Sequence, residues 1–142
     1  YGFALQYASD VLRADEDVVL EAVRQTHCAL KYASDDLRAD KDFVLEAVGE
    51  DGKALEYASA ELQADKEVVR RAVLQLGNAL SYAKATLQAD KDLILLAARG
   101  WEPNHHAVPL NLGHLMQEAG IDKTIFYSVV TCPIAVEGED CP

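Results

Sequence analysis

The sequence predicts an all-α fold: a helical-repeat, α-solenoid-like stack of short helix pairs, followed by an irregular C-terminal tail. Three observations predict it. First, the 142-residue chain repeats every 25 residues without an insertion, so that Ala4-Leu5-x-Tyr7-Ala8 returns as Ala29-Leu30-x-Tyr32-Ala33, Ala54-Leu55-x-Tyr57-Ala58 and Ala79-Leu80-x-Tyr82-Ala83. A fixed period of this size is the signature of stacked supersecondary units. Second, the apolar residues inside each unit recur at helical spacing. Third, an aspartate precedes the second apolar stripe of every unit, at Asp15, Asp40, Asp65 and Asp90, where a carboxylate caps a helix well.

The unit Gly52 to Leu76 illustrates the elements in order. Ala54, Leu55, Ala58 and Leu62 fall on one helical face, which predicts a first helix ending near Ala64. Asp65 is the predicted N-cap of a second helix, with Glu67 in its first turn, where the helix dipole favours negative charge. Val68, Val69, Ala72 and Val73 form its apolar stripe. Gly77 suits the left-handed position that closes a helix. Helices of about ten residues are unstable alone in water, so stacking of neighbours must supply the core. Ala8, Ala22 and their equivalents are expected to permit close helix approach. Tyr7, Tyr32, Tyr57 and Tyr82 are expected to form a column, each ring packed on the next with its hydroxyl on water or a carbonyl.

Residues 1–100 thus read as four tandem two-helix repeats, and residues 101–142 as a tail with one short helix that partly caps the stack. Register is lost at Gly100-Trp101-Glu102-Pro103, since proline cannot continue a helix interior. Asn111 to Gly120 reads as a helix, with Leu112, Leu115, Met116 and Ala119 on one face and Gly120 as its stop. Trp101 and this helix are the expected caps. Ile125 to Val130 is strand-like in composition, with no edge in the repeats to pair with. Trp101, Ile125, Phe126, Tyr127, Val129 and Val130 are therefore the expected partner-binding residues. Glu137 to Pro142 reads as an exposed acidic loop. The chain opens at Tyr1-Gly2, inside a unit. The expectation is a processed protein or a piece of a longer array, with any targeting segment outside this sequence.

Charge narrows the partners. The net charge is −11, with 18 acids against 12 bases in residues 1–100 and 6 against 1 in the tail. Nucleic-acid phosphates and anionic lipid surfaces call for clustered Lys and Arg instead. No apolar run is long enough to cross a membrane, which leaves peripheral contact with a membrane complex as the only membrane role considered. Three cysteines, Cys28, Cys132 and Cys141, are too few for a disulfide framework. Cys132 and Cys141 either pair in an oxidising compartment or remain thiols.

Candidate chemistry is sparse. His105, His106 and His114, with Cys132 or Cys141, resemble a metal cluster but meet no established ligand spacing. His27-Cys28 replaces the Gly-x of other units; a Cys–His pair works only if the side chains converge, and sequence neighbours are expected to diverge. Asp15-Glu16-Asp17 and Asp35-Asp36 lack the glycine and terminal glutamate of a calcium loop, and read as caps and solvated faces. Cys-Pro at 132–133 and 141–142 is too little to argue for haem. No phosphate-binding loop or nucleophile elbow is present. The expectation is no metal, no cofactor and no catalytic residue.

The units ALxYAS…L(R/Q)AD(K/E)(D/E)VVL(E)AV resemble a repeat family, domain of unknown function 4116. The match is close over residues 2–52 and extends to about residue 99, with Lys84 replacing Ser and Ala98 replacing Val in the fourth unit. The resemblance implies a tandem helical fold, typical of protists, algae and some intracellular bacteria, and defines no catalytic residue. The expected function is a non-enzymatic scaffold or linker subunit making contacts with other protein subunits. The assembly expected is an organellar one, photosynthetic or respiratory, in an alga or protist. In the stack, the outward positions 16, 20, 21 and 24 and their equivalents would give specificity. The alternatives are a host-protein-binding module of a bacterial effector, and an enzyme with a metal or thiol site in the tail.

Overall fold

The structure is a computed structural model that describes residues 2–99, 116–120 and 122. The regular structure of these residues is entirely helical, with no strand among them. Each unit has three parts rather than the two expected. A six-residue 3-10 helix comes first: Gly2–Tyr7, His27–Tyr32, Gly52–Tyr57 and Gly77–Tyr82. A single short turn follows: Asp10–Arg13, Asp35–Ala39, Leu62–Ala64 and Ala85–Gln88. A long α-helix closes the unit: Glu16–Gln25, Lys41–Glu50, Lys66–Gln75 and Lys91–Arg99.

The first predicted helix is therefore broken, and its own sequence explains the break. Gly52, Leu55 and Ala58 are spaced by three, and all are buried; a 3-10 helix, with three residues per turn, puts such positions on one face. Ala58 then turns extended, at φ −66° and ψ 161°. The next residue, Ser59, caps the following turn, its Oγ accepting from Leu62 N at 3.4 Å. Ser9 and Ser34 do the same for Leu12 and Leu37. The break also exposes a backbone N–H to the preceding unit. Ser34 N donates to Arg13 O at 2.8 Å, Ser59 N to Arg38 O at 2.8 Å, and Lys84 N to Gln63 O at 3.0 Å. A continuous helix would have consumed these donors internally.

The aspartate caps stand where expected. Asp15, Asp40, Asp65 and Asp90 accept from Val18, Phe43, Val68 and Leu93 N at 3.1, 3.0, 3.3 and 3.3 Å. Two of them also tie units together: Lys41 Nζ lies 3.0 Å from Asp65 Oδ2, and Lys66 Nζ 2.8 Å from Asp90 Oδ2. Lys41, with help from the Val68 and Glu67 N–H groups and against burial, holds the Asp65 carboxyl below its ordinary value of 3.8. Lys66 does the same for Asp90. A folded value below the unfolded one means stabilisation that is complete above the unfolded pKa and is lost as pH falls through the folded one. Asp65→Ala should cost about 1 kcal/mol at neutral pH. Paired thermal melts should show that deficit shrinking once the pH drops below about 4.

Successive long helices pack on one another, successive 3-10 helices do likewise, and the long helices Glu16–Gln25 and Lys66–Gln75 touch the 3-10 helices on both sides of them. The core lies between the two rows. Val19, Val44, Val69 and Ile94 are all wholly buried within it, as are Leu30 and Leu55. Met116 joins this core and Ala119 packs against it. Gly120 has φ 65°, the left-handed geometry expected of a helix-closing glycine. At the other end the first unit is less covered. Leu12 and Val18 are 45% and 37% exposed, whereas their repeat equivalents Leu37 and Phe43 are 7% and 5% exposed.

The expected left-handed role of Gly77 is not what the structure has; among the described residues only Gly120 has positive φ. Close approach explains the repeat glycines instead. A Cβ on Gly52 would lie 2.6 Å from Ala72 O, and one on Gly77 would lie 2.7 Å from Ala97 O. The strand-like run Ile125 to Val130, the proline break at Pro103 and the Glu137 to Pro142 loop lie outside the described residues.

Candidate functional site

Two features stand out from the repeating frame. The first is the outer face of the long helices. Between Lys41–Glu50 and Lys66–Gln75 runs a groove of about 510 Å³ lined by Leu45, Glu46, Glu67, Arg70, Arg71 and Leu74. A second groove, of about 360 Å³, follows between Lys66–Gln75 and Lys91–Arg99, with Arg70, Leu95, Leu96 and Arg99 in its walls. Most of these residues occupy the variable outward positions. Helical spacing forces this result: once Val68, Val69, Ala72 and Val73 face the core, the positions between and beyond them, 70, 71 and 74, fall on the opposite side and face out.

The electrostatics of this face differ from the rest of the chain. Lys41 and Lys66 are committed to aspartates of the next unit, and Arg24 pairs with Glu50 and Glu21. Arg70, Arg71 and Arg99 have no ion pair among the described residues. The Arg71 guanidinium lies over the neighbouring helix, where a Cβ added to Gly49 would be 3.2 Å from its Nη2. In a chain of net charge −11, these arginines share the groove walls with Glu46, Glu67 and Asp92, beside Leu74, which is 58% exposed, and the half-buried Leu45, Leu95 and Leu96.

The second feature is a cluster on the inner, 3-10 row. Cys28 Sγ lies 3.3 Å from His27 Nε2. His27 Nδ1 lies 3.3 Å from Asp51 Oδ2. The Tyr57 hydroxyl donates to Cys28 Sγ at 3.6 Å, and its ring stacks on the imidazole, with centroids 6.3 Å apart and planes 20° from parallel. Asp51 is anchored by Lys53 N, which donates to Oδ1 at 2.9 Å. A carboxylate beside Nδ1 favours the proton there, and this tautomer leaves the Nε2 lone pair facing the thiol. The Cys28 contact, followed by burial, pushes the Tyr57 phenol up to about 12, so Tyr57 stays a donor at physiological pH.

Adjacent side chains were expected to diverge at 27–28, and the structure corrects this. The imidazole is held from the far side by Asp51, at the end of its own unit, and by Tyr57 of the next, which turns Nε2 onto its own neighbour. Asp51 carried no separate sequence signal, because its partnership with His27 spans 24 residues. The tyrosine column is corrected too: the one ring contact among the described residues is His27–Tyr57, and Tyr7 is 85% exposed. The expected partner-binding residues Trp101, Ile125, Phe126, Tyr127, Val129 and Val130 lie outside the described residues. So do His105, His106, His114, Cys132 and Cys141. Among the described residues no group of His, Cys, Asp and Glu is placed to hold a metal ion, and no helix is long and apolar enough to cross a membrane.

The family Domain of unknown function (DUF4116) matches residues 1–38 and 40–88. The chain belongs to this family. The match reaches through the 3-10 helix and short turn of the fourth unit, so the breaks, the caps at Asp15, Asp40 and Asp65 and the Gly52 contact lie within the matched segment, while the Asp90 cap and Ala97 lie beyond it. No curated protein and no solved structure matches the chain.

Proposed function

We propose that the chain is a non-enzymatic scaffold or linker subunit, an α-solenoid-like stack on a 25-residue period whose outer row of long helices docks an acidic, leucine-bearing segment of another protein. The observation that carries this reading is the lining of the two grooves. They are walled mostly by the positions that vary between otherwise regular units, and they combine one exposed and three half-buried leucines (Leu74; Leu45, Leu95 and Leu96) with arginines that have no ion pair among the described residues. An occupant with apolar anchors and flanking carboxylates fits both features, since aromatic or aliphatic anchors supply affinity and complementary charge supplies steering. The regular positions are used up by packing and capping, so the outer row is where a partner can be read. Its place in an organellar assembly rests on the resemblance alone.

The test is purification of tagged protein from its native source. The wild type should run with a partner well above monomer mass. Arg70→Glu/Arg71→Glu/Leu74→Asp should run as a monomer with an unchanged melting temperature, because all three residues are exposed. A wild type that always runs free, or a triple variant that keeps the same partner, overturns the reading.

A further inference from the structure

The second feature points to chemistry that the scaffold reading does not need. At 27–28 the other units carry Gly2-Phe3, Gly52-Lys53 and Gly77-Asn78, and where Asp51 stands they carry Thr26 and Leu76. His27 thus departs from a glycine that the other three units share, and it meets Cys28 and Asp51, which stand at variable positions, on a tyrosine that all four units share. Packing explains none of the three, since glycine at 27 and threonine or leucine at 51 serve the same backbone elsewhere. Cys28 is neither sealed in the core nor fully exposed, and none of the four side chains lines the outer grooves.

We propose that Cys28 is a peroxide-reactive thiol, with His27 as its base and proton donor, Asp51 as the group that orients the imidazole, and Tyr57 as the donor to sulfur. The thiol proton passes to His27 Nε2, 3.3 Å away. The sulfur attacks one peroxide oxygen, the O–O bond breaks, and the leaving hydroxide or alkoxide takes the proton from His27. Cys–SH and ROOH become Cys–SOH and ROH; sulfur is oxidised by two electrons and the peroxide is reduced by two. The imidazole is neutral at the start and end of the step. Asp51 stabilises the imidazolium between them. The Tyr57 hydroxyl, already on Sγ, is placed to donate to the new sulfenic oxygen.

Peroxide fits this site better than an acyl substrate. Acyl transfer wants converging donors for an oxyanion, and this cluster offers one phenol. Attack on peroxide wants only a nucleophilic sulfur and an acid for the leaving oxygen.

The test uses the Cys132→Ser/Cys141→Ser protein, in which Cys28 is the sole thiol. Hydrogen peroxide is added with dimedone, and the sulfenic adduct is followed by mass spectrometry against glutathione at the same pH. Cys28 should react about tenfold faster than glutathione or more. His27→Gly, which installs the residue the other units carry, should bring the rate to near that of glutathione with the melting temperature retained. Asp51→Asn, which keeps an acceptor for Lys53 N, should give an intermediate rate and stands in if His27→Gly melts early. A Cys28 no faster than glutathione overturns the proposal. So does a rate unchanged in a folded His27→Gly or Asp51→Asn variant. The partner experiment above uses other residues, so either proposal can fail alone.

Discussion

Leu62→Ala should destabilise the protein by about 2–5 kcal/mol, the cost of removing a buried leucine and leaving a cavity, whereas Leu12→Ala should cost less than about 1 kcal/mol. The two residues occupy the same place in the repeat. Leu62 is 7% exposed, with a described unit on each side of its own, and Leu12 is 45% exposed, with a described unit on one side. Intrinsic propensity is the same in both changes and cancels, which isolates what the neighbour contributes. Stacked repeats draw their stability from such nearest-neighbour contacts. Urea titrations of both variants read the difference directly. Equal costs at the two positions would mean that coverage by the adjoining unit is not what stabilises this leucine.

Gly52→Ala should be destabilising by about 1–3 kcal/mol, while Gly49→Ala, three residues earlier, should be stabilising by about 0.5–1 kcal/mol. At Gly52 the new methyl would meet the Ala72 carbonyl oxygen at 2.6 Å and Leu76 Cβ at 3.0 Å. One is backbone and the other is held close to its own backbone, so the chains must move apart. Residue 27 shows that the fold has room to adjust, since His27 occupies the equivalent position, and this keeps the cost moderate. At Gly49 the nearest atom is the end of the Arg71 side chain at 3.2 Å, which can swing aside. The gain there is helix propensity in the last turn of Lys41–Glu50. Thermal melts of the two variants should shift in opposite directions. A shift in the same direction would remove close packing as the reason for glycine at 2, 52 and 77.

What could be read from the sequence was what is local. The aspartate caps act over two or three residues, and the long-helix stripes follow from 3.6-residue spacing, so both were visible in the chain. The outward positions that line the grooves followed from the same geometry. The break in the first helix was harder, because Ala54, Leu55, Ala58 and Leu62 satisfy an α-helical stripe, while Gly52, Leu55 and Ala58 also satisfy a three-residue one. Ser59 was the deciding residue: it sits three before Leu62 and caps a new turn. Gly77 was assigned to conformation when its role is contact, and contact with Ala97 cannot be seen from residue 77. The Cys28 cluster was half visible. His27-Cys28 broke the repeat in plain view, but its other half comes from far along the chain, Asp51 from the end of the same unit and Tyr57 from the next.

The central claim is that partners dock on the outer row of long helices. A photoreactive residue placed at Leu74, in the groove wall, tests it most directly against the same group at Ser81 on the 3-10 helix Gly77–Tyr82, outside both grooves. With each variant carried in the native source and irradiated there, the account predicts a discrete cross-linked partner from position 74 and none from position 81. Cross-linking from 81 with none from 74 would contradict it and move the interface to the inner row.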